Sequence, residues 1–182
     1  MKKESPAYTE HLLALFTEVL NETITERPLQ EVSAEMTPSL AHGLQFVSQH
    51  GLCSVRDVAR GLSMTLPAAS QLVDRLVKKD WVTRSDNKDD RRLSEILLTE
   101  TGRDLAEQIR SRRIARMSRI LDRMDPDCRR TLVASLESFI AAGIHDADSA
   151  LETCSHCGVD HDPECVVNEV YRAATGAQIE RT

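Results

Sequence analysis

The sequence predicts a mainly helical fold carrying one small β hairpin, and three observations predict it. Aromatic residues make up only 3% of a chain that is 41% hydrophobic. The core is therefore built from Leu, Val, Ile and Ala, a composition that favours helices over a β-sandwich. Apolar residues recur at three- and four-residue steps in six segments, most of them opened by a Ser, Thr or Asp cap. One stretch in the middle breaks that period, with two short apolar runs around a charged turn.

The first helix is expected over about 7–26, with Leu12, Leu13, Phe16, Val19 and Leu20 on one stripe and Pro28 after its stop. Thr37-Pro38 opens a second helix and Gly51 closes it, with Leu40, Leu44 and Val47 apolar between them. Ser54-Val55-Arg56-Asp57 reads as a capping box opening a short third helix that turns Val58, Ala59 and Leu62 inward. After the break at Gly61-Leu62-Ser63-Met64, Thr65 caps a fourth helix over about 66–79, with Ala69, Leu72, Val73 and Leu76 inward. Two short helices joined by a tight turn form a helix-turn-helix.

Trp81-Val82-Thr83-Arg84 and Leu93 to Leu98 read as strands on either side of the charged turn from Asp86 to Arg92. A hairpin in that place is a wing. Thr99 caps a long helix to about Arg123, and Asp125-Pro126 starts another, with Leu132, Val133, Leu136, Phe139 and Ile140 read as inward and Gly143 as its end. A small-residue, acidic passage to Asp148 leads into a cysteine-rich tail. The expected division is 1–148 as one domain and 149–182 as a metal-binding tail.

Charge is distributed unevenly. Residues 1–50 carry a net −4, residues 51–120 a net +5 and residues 121–182 a net −7, within a whole-chain charge of −6. A basic middle between acidic ends is the pattern of a local nucleic-acid surface, or of a solvated charged face. No apolar run approaches the ~20 residues of a membrane span, and no signal peptide is read at the N-terminus, so a cytoplasmic protein is expected. Five cysteines, an odd number, fit thiols or metal ligands in a reducing compartment better than a disulfide framework. No Ser/His/Asp arrangement, carboxylate pair or Gly-rich phosphate loop is present, and the thioredoxin-type setting for a dithiol catalyst is missing, so no enzyme activity is expected.

Five strings stand in order along the chain: Ser54-Val55-Arg56-Asp57-Val58-Ala59, Leu72-Val73-Asp74-Arg75-Leu76, Trp81-Val82-Thr83-Arg84, Asp90-Arg91-Arg92 and Leu98-Thr99-Glu100-Thr101-Gly102. In order and spacing they resemble the MarR family of bacterial transcriptional regulators. The resemblance covers roughly residues 7–145. It implies a winged helix-turn-helix homodimer whose long N- and C-terminal helices intertwine, whose fourth helix enters the major groove of double-stranded DNA, and whose wing reaches the minor groove. It also implies that Asp90 positions Arg92. Two departures stand out: Asp80 replaces the usual Gly after the reading helix, and the first turn of that helix, Leu66-Pro67-Ala68-Ala69, is apolar. The tail beyond 150 lies outside the family pattern.

The candidate DNA contacts are Thr65, Pro67, Ala68, Ser70, Gln71 and Arg75 on the fourth helix, and Arg84, Lys88, Arg91 and Arg92 on the wing. Gln71 is suited to adenine, Arg75 to guanine or phosphate, and Ala68 to a thymine methyl; a surface Gln also needs no explanation. With few polar readers, shape and backbone contacts are expected to carry much of the specificity. Two-fold pairing accounts for the apolar stripes of the terminal helices, as does an intrachain core.

In the tail, Cys154, Cys157, His161 and Cys165 have metal-ligand spacing. Cys-x-x-Cys-Gly is read as a tight turn and Asp162-Pro163 as a helix start, giving a closed Cys₃His set for zinc. An iron–sulfur cluster held by the three cysteines is the competing assignment. Cys53 and Cys128 are read as buried packing residues. The resulting expectation is a DNA-binding regulator modulated by the tail metal, with a small-molecule or redox effector. The alternative is a winged-helix protein-interaction adaptor with a structural zinc tail.

Overall fold

The computed structural model describes residues 5–86, 94–159 and 161–179. Helices and one hairpin follow in the order α1 (Pro6–Leu20), a π-helical segment (Asn21–Glu26), α2 (Arg27–Val32), α3 (Pro38–His50), α4 (Val55–Gly61), α5 (Leu66–Lys78), β1 (Val82–Asp86), β2 (Ser94–Leu98), α6 (Glu100–Leu121), α7 (Pro126–Gly143), α8 (Ala147–His156) and α9 (Val166–Thr175). The expected winged helix-turn-helix is α4, α5 and the β1–β2 hairpin.

Most helix starts lie where the caps put them. The Thr37, Thr65 and Thr99 hydroxyls accept the backbone N–H of Leu40, Ala68 and Gly102. Ser54 and Asp57 form a reciprocal capping box: the Ser54 N–H donates to Asp57 Oδ2 at 2.9 Å and the Asp57 N–H to Ser54 Oγ at 3.3 Å. Partial burial pushes the Asp57 carboxyl up, but the two Ser54 hydrogen bonds and the nearby Arg60 charge outweigh it and hold the group below its usual value.

The first helix departs from expectation. Pro28 does not follow its stop but lies inside a helical run from Pro6 to Val32. The reason is the π segment. There the Arg27 N–H reaches back five residues to the Glu22 carbonyl, and this wider register accommodates a residue that has no N–H and whose ring clashes with an α-helical carbonyl.

The main core lies between α3, α4, α5, the hairpin and the near end of α6. Leu44, Val58, Ala69, Leu72, Val73, Leu76 and Ile96 are almost wholly buried there. The hairpin is antiparallel, with Val82 opposite Leu98 and Arg84 opposite Ile96. Cys53 adds a third edge by exchanging backbone hydrogen bonds with Ile96. Gly102, just inside α6, lies where a Cβ would overlap the Trp81 carbonyl, so the Leu-Thr-x-x-Gly string is a close approach of helix to hairpin.

The inward reading of the α7 residues is a second expectation that the structure corrects. No residue of α1 or α7 is buried. Leu12, Leu13, Phe16, Val19, Val133, Leu136, Phe139 and Ile140 are exposed on the single chain, Phe139 at 58%. Cys128, read as buried, is exposed as well, whereas Cys53 is buried.

The tail is folded. Ala150, Cys154, Val167 and Ile179 form a second small core, with Ile144, Cys165, Val166 and Tyr171 against it. Asn168 is buried within it, donating from Nδ2 to the Pro163 carbonyl and accepting the Ile179 N–H. The helix expected at Asp162-Pro163 starts later, at Val166. Asp162 instead makes a turn, accepting the Glu164 N–H on its side chain and the Cys165 N–H on its carbonyl.

Candidate nucleic-acid interface

Helix α5 is pinned along one face by Ala69, Leu72, Val73 and Leu76, all buried. This leaves an outer face bearing Thr65, Leu66, Pro67, Gln71, Arg75 and Lys78, with Ala68 and Ser70 half-buried at its margin. The structure thus brings the six predicted α5 residues onto one outward surface. Thr65 is partly committed, since its hydroxyl caps the helix. Asp80, after α5, adopts φ 58°, so the left-handed cap usually made by glycine is made here by an aspartate, a residue type that tolerates it.

Arg84 stands apart from the other wing candidates. Its Nη1 donates to Asp74 Oδ1 of α5 at 3.1 Å, both side chains being exposed. The pair ties the base of the wing to the reading helix and shortens the reach of Arg84 toward any ligand. Lys88, Arg91 and Arg92, and with them Asp90, lie outside the described residues.

The basic middle of the chain is only partly available to a polyanion. Glu31 of α2 accepts from Arg112 at 3.2 Å and from Arg116, and the two guanidiniums hold its carboxyl below the usual range. Arg113 Nη1 donates to Gln45 Oε1 at 2.6 Å. These α6 arginines join helices, so part of the charge excess in 51–120 is structural. Two local features were not legible as chemistry from spacing. One is the Asp74–Arg84 tie, for which opposite charges ten residues apart were the only sign. The other is a contact of the tail with the turn between α4 and α5, described below, for which the sequence carries no sign.

The four predicted tail ligands are not gathered. Cys-x-x-Cys is the last turn of α8 and its cap, not a separate turn. Cys154 is buried in the tail core with Cys165 packed against that core, while Cys157 is exposed and its Sγ lies 3.8 Å from the Val159 carbonyl. His161 Nδ1 is buried without a hydrogen-bond partner among the described residues. Among those residues no three His, Cys, Asp or Glu side chains are arranged to hold an ion. As arranged here, the set does not fit a tetrahedral metal.

Comparison with known proteins agrees with this architecture. Residues 36–94 match the MarR family model. The chain is 30% identical over 110 residues to the HTH-type transcriptional repressor MdtR of Bacillus subtilis, covering 60% of this chain and 68% of that one. It is 28% identical over 91 residues to the uncharacterized HTH-type transcriptional regulator YwhA of the same organism, covering 50% and 66%. The chain thus spans about two thirds of the length of these curated relatives. Among solved structures, RV1404 from Mycobacterium tuberculosis superposes with a TM-score of 0.72 at 28% identity, covering 80% of this chain and 99% of that one. MepR, a transcription regulator of a Staphylococcus aureus multidrug efflux pump, shares the fold with a TM-score of 0.64 at 20% identity, covering 73% and 96%. With a reading helix, wing and flanking helices in the family's order, the chain belongs to the MarR family of winged helix-turn-helix transcriptional regulators.

Proposed function

We propose that the protein is a homodimeric, DNA-binding transcriptional regulator that places one α5 helix in each of two major grooves of a pseudo-palindromic duplex. The observation that carries this reading is the divided surface of α5: four buried anchors on one side, and Gln71, Arg75 and Lys78 free to face a ligand on the other. Half-sites are spaced by about one helical turn. Dimerisation is supported by the apolar residues left exposed on α1 and α7, which are too many and too close in sequence for the surface of a monomer. In this reading the protein acts in the cytoplasm and is not an enzyme. No helix among the described residues is long and apolar enough to cross a membrane. The deciding experiment selects binding fragments from random or genomic duplex and weighs the complex by light scattering. Two chains per site are expected; one chain per site, or no enrichment of any fragment, contradicts the reading. The adaptor reading is not favoured, because the relatives are transcriptional regulators.

We also propose that the tail takes up a thiophilic metal, zinc or an iron–sulfur cluster, through Cys154, Cys157, His161 and Cys165, and that this ion or a redox or small-molecule effector sets DNA affinity. The ligand spacing and the buried Nδ1 of His161, which has no hydrogen-bond partner among the described residues, favour it; the 157–165 segment must rearrange to gather the four. Metal analysis with an absorption spectrum of protein purified without oxygen tests this. About one zinc per chain in a colourless protein, or iron and sulfide in a brown one, supports the proposal; neither metal ends it.

A further inference from the structure

Helix α8 ends against the helix-turn-helix. The Nε2 of His156 lies 3.2 Å from the carbonyl oxygen of Arg60 and 3.1 Å from the Oγ of Ser63. A carbonyl oxygen only accepts, so the contact with Arg60 assigns the ring proton to Nε2. The Arg60 carbonyl lies in the last turn of α4, and Ser63 in the connection between α4 and α5. Two residues further on, the Gly158 carbonyl accepts from Gln45 Nε2 of α3. Gln45 is oriented for this because its other amide atom, Oε1, accepts from Arg113 of α6. Gly158 has φ 65°, a backbone conformation that side-chain-bearing residues rarely adopt. Two anchor points thus seat Ser155–Gly158 across α3, α6 and the turn.

The receiving turn is unusual. Ser63 has φ 49°, one of two described non-glycine residues with positive φ, and such backbone persists only where neighbours hold it. Helix α4 packs closely on α3 at its end, where a Cβ at Gly61 would overlap the Phe46 ring. His156 thus bridges this packed last turn of α4, at Arg60, and the turn residue Ser63. The contact is polar and incompletely packed, around a cleft of about 320 Å³ lined by residues of α3, the turn, Arg113 and the tail. A few hydrogen bonds over a partly open cleft make a reversible interaction rather than a piece of core.

We propose that the surface beside this cleft, formed by Gln45 of α3, the Arg60 carbonyl and Ser63, is a docking site for the chain's own segment Ser155–Gly158, and that its docking controls how often the α4–α5 turn opens. The tail is then a clasp on the DNA-reading unit, built outside the part of the chain that matches the family model, residues 36–94. Its effect on DNA affinity rests on the DNA-binding reading above; the docking itself does not.

Hydrogen exchange on the full chain without DNA tests the docking directly. The amides of Leu62, Ser63 and Met64 are hydrogen-bonded to the carbonyls of Val58, Arg60 and Ala59, so opening of the turn is readable there. In His156→Ala these three amides exchange at least about fivefold faster, while those of Leu44 and Val47 are unchanged. Reciprocally, Ser63→Ala speeds exchange in 154–158, since coupling between two elements runs both ways. Both side chains are exposed, so both variants fold, which their melting curves check. Unchanged exchange at Leu62–Met64 in His156→Ala, or an undisturbed tail in Ser63→Ala, overturns the clasp. Failure to bind any duplex overturns the DNA-binding reading instead, because the exchange measurement uses no DNA.

Discussion

Single residues set the geometry on which the reading helix depends, and two of them make sharp tests. Gly102 is packed against the Trp81 carbonyl, so Gly102→Ala forces α6 away from the hairpin. A loss of about 1–3 kcal/mol is expected, read by urea denaturation; a neutral result contradicts the close approach. Asp57 is the second. Its folded value lies below its ordinary one, so its contribution is fully present above about pH 4 and is lost as the pH falls through the folded value. Asp57→Asn is expected to cost about 0.5–2 kcal/mol at neutral pH, the range of an N-terminal cap, and to narrow the gap to the natural protein in acid. A gap that stays constant from neutral pH to about pH 2.5 contradicts the capping role. The box itself was legible, because Ser54-x-x-Asp57 is a local pattern. The burial of Cys53 was legible too. Burial and the charge of Asp57 push its thiol up to about 12, which makes it inert packing. Cys128 was misread for the complementary reason: apolar neighbours along the chain do not say whether their face meets this chain or a second one.

Elements divide into those whose ends are written locally and those whose ends depend on distant contacts. Thr37, Thr65, Thr99 and Asp125 mark their helices because a side-chain cap acts within three residues. Pro28 looked like a stop and is not one, since a π segment absorbs it. Asp162-Pro163 looked like a start and makes a turn, because the buried Asn168 takes the Pro163 carbonyl and starts α9 later. At α5, the outer face carries the prediction. Arg75→Ala is expected to weaken duplex binding by about 1–3 kcal/mol if the guanidinium reaches a base, or to lower the salt slope by about one if it reaches a phosphate. Gln71→Ala is expected to relax sequence preference more than affinity. Arg92→Ala is expected to weaken binding with no change in melting temperature. Fluorescence anisotropy with a selected duplex checks all three; variants that bind as the natural protein does place the contact surface elsewhere than α5 and the wing.

At the scale of the whole molecule, the fold class was legible because α5 combines a buried stripe with a capped start and is followed at once by a hairpin. What could not be read was the destination of charge and apolar surface. The arginines of α6 looked like part of a DNA surface, yet Arg112 and Arg116 hold Glu31 and Arg113 holds Gln45. The apolar residues of α7 were read as inward and those of α1 as a stripe open to either an intrachain core or two-fold pairing; both lie exposed on the single chain. In the proposed homodimer a second copy covers them and doubles the reading helices. The contact of the tail with Arg60 and Ser63 joins residues about 95 positions apart, a separation no periodicity reports. The measurement that tests the central claim most directly is the affinity for a selected duplex as a function of salt, with the mass of the complex determined at each point. The account predicts two chains per site and a log affinity that falls linearly with log salt, with a slope of several, as condensed counterions are released by each copy's arginines and lysines. Salt-insensitive binding, or a single chain on the site, would contradict it.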